Sequence, residues 1–316
     1  MIKIAVDLKG ADRPQEQLAA GVLDAVRDNA DLFVYAFGDR AVLEDVLGGN
    51  DRIELIDSPE TMTNDEDPAE AFRTKKESSI VKAMQLGKED SGIQAFVSCG
   101  PTGAIFVSAM MLLGRIARIS PILLVELEKQ DGTPFCVADC GANVDCRPEK
   151  LVDFAKMGMA YMKAVGVESP RIGLLSNGAE DRKGSAVVKR ANELLRESGL
   201  PFDGNVEGSG LFTCASDVIV CDGFSGNVLL KTIEGSAKTV ISQMRELGAD
   251  RELCDRLYAR YDFNTRGGAV LLGTKLPIVK GHGAATALTV RNIIGSACRL
   301  ASGGINEKIR AAFETQ

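Results

Sequence analysis

Short apolar runs alternate with stretches of helical spacing along most of the chain. Residues 2–7 (IKIAVD), 31–38 (DLFVYAFG) and 52–57 (RIELID) carry strand-type runs. The segments 15–30 and 39–48 between them repeat their apolar residues three and four apart, as helices do. The strand series continues at 93–100, 121–128, 134–141, 170–178, 217–223 and 276–283. Apolar residues at consecutive positions mark strands buried on both faces. Strands alternating with helices in this way predict an α/β fold, a mostly parallel sheet covered by helices. No stretch has the composition of a linker, so the 316 residues read as one α/β unit, or as two subdomains interleaved in sequence. In the most charged stretch, 62–79, Pro68 suits the first turn of a helix.

The glycine-rich and polar segments fall at the carboxyl ends of these strands, where ligands bind in a doubly wound sheet. They read SCGPTGA (98–104), DCGANVDCRP (139–148), SNGAEDRKG (176–184), DGFSGN (222–227) and KGHGAA (280–285). One such loop means little; five converging at one edge predict a site. SCGPTGA offers Ser98, Thr102 and the N–H groups around Gly103 at a helix expected to open near Ala104, an arrangement suited to phosphate. A plain N-cap by Thr102 explains the same residues. Lys183 either neutralises phosphate or a developing oxyanion or is a solvated surface lysine, and Asn177 precedes it in the same loop. Asp139, Asn143 and Asp145 surround a turn that Asx chemistry accounts for without any function. Asp222 ends a strand and precedes two glycines, Gly223 and Gly226, which suit positive φ or close approach to a ligand.

Composition narrows the chemistry. A net charge of −7 argues against a general nucleic-acid binder, which needs a basic surface. No run of 18 apolar residues is present, and the first residues read as a strand rather than a signal peptide, so the chain is expected in the cytoplasm. Eight cysteines are then expected to be reduced. Cys136, Cys140 and Cys146 do not have zinc spacing, and the single histidine, His282, is remote in sequence, so neither metal nor cofactor is expected. Phosphate-loop and dinucleotide fingerprints are absent. Ser225 lacks the nucleophile-elbow context of a serine hydrolase. The residues alone thus reach an anion-binding α/β enzyme.

The same loops resemble those of the phosphate acyltransferases of bacterial phospholipid synthesis. SCGPTGA, DCGANVDCRPEKLVDFAKMG, PRIGLLSNGAEDRKG, GNVEG, DVIVCDGFSGNVLLKTIEG and GGAVLLG follow one another as in that family, from about residue 66 to residue 298. The resemblance implies a three-layer α/β/α sandwich like that of isocitrate and isopropylmalate dehydrogenases, a homodimer, and transfer of a fatty acyl group from acyl carrier protein to inorganic phosphate. Carried onto this chain, it assigns phosphate or substrate binding to Ser98, Thr102, Gly103, Asn143 and Asn177, to which Arg13, itself a departure from the family, adds a cation for phosphate. Catalysis falls to Lys183, Asp222, Asn227 and His282, the last as proton donor to the departing thiol.

Three departures from the family pattern stand out. The N-terminal loop, LKGADRP, has Ala11 in place of a glycine and Arg13 near the usual histidine. Cys99 replaces a small residue at an expected helix N-terminus, which can lower a thiol's pKa, and so could hold the acyl group as a thioester; the alternative reading is a phosphotransacylase with another thioester donor, coenzyme A or a protein thiol. A third reading is a non-catalytic regulator that binds the carrier protein. The segment 236–266, expected to project at a dimer or partner surface, is shorter and more charged than the membrane-associated hairpin of the family. It gives little support to membrane docking, and its Arg251, Arg256 and Arg260 suit an acidic carrier protein instead.

Overall fold

The computed structural model describes residues 1–89 and 92–314, and the chain divides into two compact units, each discontinuous in sequence. The first unit comprises residues 1–118 and 267–306, the second 119–266 and 307–316.

The first unit opens with β1 (Ile2–Asp7), α1 (Gln15–Asp28), β2 (Leu32–Gly38), α2 (Arg40–Leu47), β3 (Ile53–Asp57), α3 (Pro68–Thr74), α4 (Ser79–Lys88), β4 (Ala95–Ser98) and α5 (Thr102–Leu112). The second unit holds β5 (Ile122–Glu128), β6 (Pro134–Ala138), α6 (Pro148–Ala164), β7 (Ile172–Ser176), α7 (Ala186–Glu197), β8 (Phe202–Glu207), β9 (Val218–Val220), α8 (Gly223–Glu246), α9 (Arg251–Tyr261) and α10 (Phe263–Arg266). The chain then returns to the first unit with β10 (Ala269–Leu272), β11 (Ile278–Lys280) and α11 (Ala287–Ser302), and ends in α12 (Ile305–Glu314).

Within the first unit the strands run in the order β3-β2-β1-β4-β11-β10, all parallel except the β10–β11 pair. Within the second the order is β5-β6-β9-β7-β8, parallel except for β5–β6. This is the helix-flanked, mostly parallel α/β architecture that the apolar runs predict. The four residues of β4 and the three of β9 are all buried, as strands covered on both faces must be. Parallel pairing gathers β1, β4 and β11 with their carboxyl ends at one edge of the first unit. The corresponding edge of the second unit gathers β6, β7 and β9.

Pro68 occupies the first turn of α3, whose N-cap Asp67 accepts from the N–H of Glu70. The helix after SCGPTGA opens at Thr102 rather than Ala104, because Pro101 has extended backbone and takes the N-cap position. Among the described residues no helix is long and apolar enough to cross a membrane.

Candidate active site

Three loops meet at the carboxyl edge of the first unit, and a buried aspartate braces them. Asp7, the last residue of β1, lies 3% exposed and accepts a 2.6 Å hydrogen bond from the Ser98 hydroxyl at the end of β4. The Ser98 oxygen in turn accepts from the N–H of Gly100 at 2.9 Å. The N–H of Gly281, after β11, donates to the Ser98 carbonyl. Gly281 must be glycine here, since a Cβ would stand 2.6 Å from the Cys99 sulfur. Gly10 adopts φ +79° and a Cβ there would press on Gly100, so the N-terminal loop lies directly on the 98–103 loop. The N–H of Asp12 donates to the Gly283 carbonyl, which ties the N-terminal loop to the one bearing His282.

Arg13, Thr102 and His282 are therefore carried on loops locked to one another, and all three are exposed. His282 accepts from the N–H of Ala284 through Nδ1, which leaves Nε2 to carry the proton of the neutral ring. The α5 N-terminus has no side-chain cap, so its first N–H groups keep their donors for a ligand.

The structure bears on three of these expectations. Ser98 is fully buried and its hydroxyl is committed to Asp7 and Gly100, so it shapes the loop rather than touching phosphate. Gly103 has a packing reason to be glycine, for a Cβ there would meet the Pro68 ring at 2.7 Å, while its N–H stays among the open donors of α5. Cys99 is 3% exposed, and burial together with the nearby Asp7 charge pushes its thiol up to about 12. A thiol so protonated and covered lacks the character of an acyl-accepting nucleophile.

A second buried aspartate organises the second unit. Asp139 follows β6 with no exposure, and its carboxylate accepts from the N–H groups of Leu123, Gly141, Ala142 and Asn143 and from the Asn143 amide. The Asn143 amide also donates to the Pro121 carbonyl, so that side chain is spent on holding the loop. The start of α8 lies against this loop: the N–H of Gly223 donates to the Asn143 carbonyl, and a Cβ on Gly226 would collide with the Asp139 carbonyl. Asp222 is the N-cap of α8, accepting from the Ser225 N–H at 2.7 Å and the Ser225 hydroxyl at 2.9 Å.

Asp222, Phe224, Ser185, Asp145, Cys146 and Val144 line a cavity of about 360 Å³. Lys183 sits two residues before Ser185, exposed, with no ion pair or side-chain hydrogen bond to the described residues. Asn177 and Asn227 are likewise exposed. Of the three arginines, Arg251 and Arg256 are exposed. Arg260 is not free: it pairs with Glu128 at 3.0 Å and donates to the carbonyls of Lys129 and Gln130, fastening α9 to the end of β5.

Of the two braces, Asp7 is the residue that sequence reasoning passed over, whereas Asp139 enters it only as part of an Asx turn. The available signal was an aspartate closing an apolar run, the same signal that drew attention to Asp222. Among the described residues no cluster of three or more His, Cys, Asp and Glu has metal-holding geometry.

An α/β protein with capped, glycine-lined loops at its strand ends is thus the class that fold and site define. Residues 2–308 match the family model described as fatty acid synthesis protein, and the chain belongs to that family. A phosphate acyltransferase from Clostridium acetobutylicum is 36% identical, covering 98% of this chain and 98% of its own. Among solved structures, a branched-chain phosphotransacylase from Enterococcus faecalis V583 superposes with a TM-score of 0.63 at 14% identity, covering 95% of this chain and 99% of that one. A 4-hydroxythreonine-4-phosphate dehydrogenase from Klebsiella pneumoniae gives a TM-score of 0.58 at 14% identity, covering 95% and 100%. At such identities the structural likeness is one of fold.

Proposed function

We propose that this protein is a phosphate acyltransferase that moves a fatty acyl group from acyl carrier protein to inorganic phosphate, yielding acyl phosphate for phospholipid synthesis. A phosphate oxygen attacks the thioester carbonyl, the C–S bond breaks, and the thiolate leaves with a proton. Full-length family membership carries this reading, and the loops supply suitable chemistry. Thr102, Arg13 and the uncapped N–H groups of α5 suit phosphate, which needs donors and a cation to be positioned.

Lys183 neutralises charge on the tetrahedral intermediate, with Asn177 and Asn227 as hydrogen-bond donors. Asp222 fixes the start of α8. Nε2 of His282 is the candidate donor of the proton to the departing thiol. Arg251 and Arg256 on α9, beside the exposed Leu247 and Leu253, are suited to an acidic carrier protein. The protein works as a cytoplasmic homodimer with the 236–266 segment at a partner surface.

Hydroxylamine trapping of acyl phosphate, from long-chain acyl carrier protein with and without phosphate, tests the reading. Phosphate-dependent acyl hydroxamate is the expected result. Product from acyl-coenzyme A alone would reassign the donor, and no product from either would leave a binding role.

A further inference from the structure

The cavity of the second unit differs in character from the loops suited to phosphate. Two carboxylates, Asp145 and Asp222, form part of its wall, and two apolar side chains, Val144 and Phe224, form its edge. Those two are 58% and 62% exposed and both line the concavity. Burial, and after it the charges of Asp222, Asp139 and Asp145, push the Cys146 thiol up to about 11. The N-terminal end of α8 adds no attraction for an anion, since Asp222 already caps it.

Inorganic phosphate, itself an anion, is disfavoured beside two carboxylates. A neutral chain is not. We infer that this cavity holds the uncharged limb of the acyl thioester, with Phe224 and Val144 closing on its methylenes, while phosphate is bound elsewhere. The inference rests on the acyl-transfer reading and deepens it by naming the subsite of the donor. At about 360 Å³ the cavity suits the part of the donor around the thioester rather than an entire long acyl chain. Ser185 and Ser225 supply hydroxyl oxygens able to accept from an amide N–H of the thiol arm.

The test uses an uncharged, non-reactive probe, the decyl thioether of N-acetylcysteamine, titrated calorimetrically into the full chain. Phe224→Ala and Val144→Ser should each weaken binding about tenfold, as loss of apolar contact does, and phosphate should not compete. Unchanged affinity in both variants, or competition by phosphate, would overturn the inference. Both side chains project into solvent, so folding should survive, and Phe224→Leu, which keeps an apolar contact, should recover most of the affinity.

In turnover the same variants should raise the donor KM about tenfold with the phosphate KM unchanged. A shift in the phosphate KM instead would place the wrong substrate in the cavity. The probe needs no turnover, so a failed subsite and a failed acyl-transfer reading are told apart: the first loses the binding pattern, the second loses acyl phosphate in the wild type.

Discussion

Burial separates the aspartates that brace the loops from the one that caps a helix. Asp7 is sealed from solvent, and burial raises its pKa to about 6 despite hydrogen bonds from Ser79, Ser98 and the N–H of Lys9 and the charge of Lys9. Its unfolded value is near 3.8, so the folded chain holds the proton more tightly. The stability this contributes is full below about pH 4 and is lost as pH rises through about 6, a change of about 3 kcal/mol. Asp7→Asn should remove that component, so urea unfolding at pH 4 and pH 7 should differ less in the variant than in the wild type. An unaltered difference would show that Asp7 carries no such burden. Cys99 offers a second residue-scale prediction. With its thiol near 12 and covered, Cys99→Ala should turn over within a fewfold of wild type, and native Cys99 should resist iodoacetamide at pH 8. Rapid labelling with loss of activity would restore the covalent route. Lys183→Ala, by contrast, should lower kcat by about a hundredfold or more through lost charge stabilisation.

At the scale of elements, the loop between β6 and α6 depends on one carboxylate. Asp139 accepts from four backbone N–H groups and one side-chain amide. Asp139→Ala strands those donors and should cost about 3 kcal/mol or more, read as a lowered midpoint in thermal unfolding. A variant melting with the wild type would mean that the loop holds itself. Which elements could be read in advance follows from what they bury. β1, β2 and β5 are long apolar runs and announce themselves. β8 is polar, buries only Gly204 and Val206, and lies at the edge of its sheet, so its sequence FDGNVE carries little strand signal. β10 has only four residues, AVLL, too few for a helical and an extended period to be told apart. The glycine-rich loops were legible because backbone approach demands glycine. The role of Ser98 was not, because a hydroxyl at a strand end looks the same whether it faces a ligand or a buried carboxylate. Its partner Asp7 lies 91 positions away in sequence.

For the whole molecule, a net charge of −7 opposes encounter with an acidic carrier protein. A local basic face is then needed, and α9 retains two exposed arginines for it, Arg251 and Arg256. Reversing both to glutamate should lower kcat/KM for acyl carrier protein about tenfold at low salt, less at high salt, and leave small thioester donors unaffected. Arg260→Ala should act otherwise, lowering stability by freeing α9 from Glu128 and the carbonyls of Lys129 and Gln130.

In the proposed reaction phosphate itself attacks the acyl group, and fully ¹⁸O-labelled phosphate tests this most directly. Mass spectrometry of the product from long-chain acyl carrier protein should show acyl phosphate retaining every labelled oxygen, formed by the wild type and largely lost in Lys183→Ala. Unlabelled free fatty acid, or no release of the acyl group at all, would contradict the account.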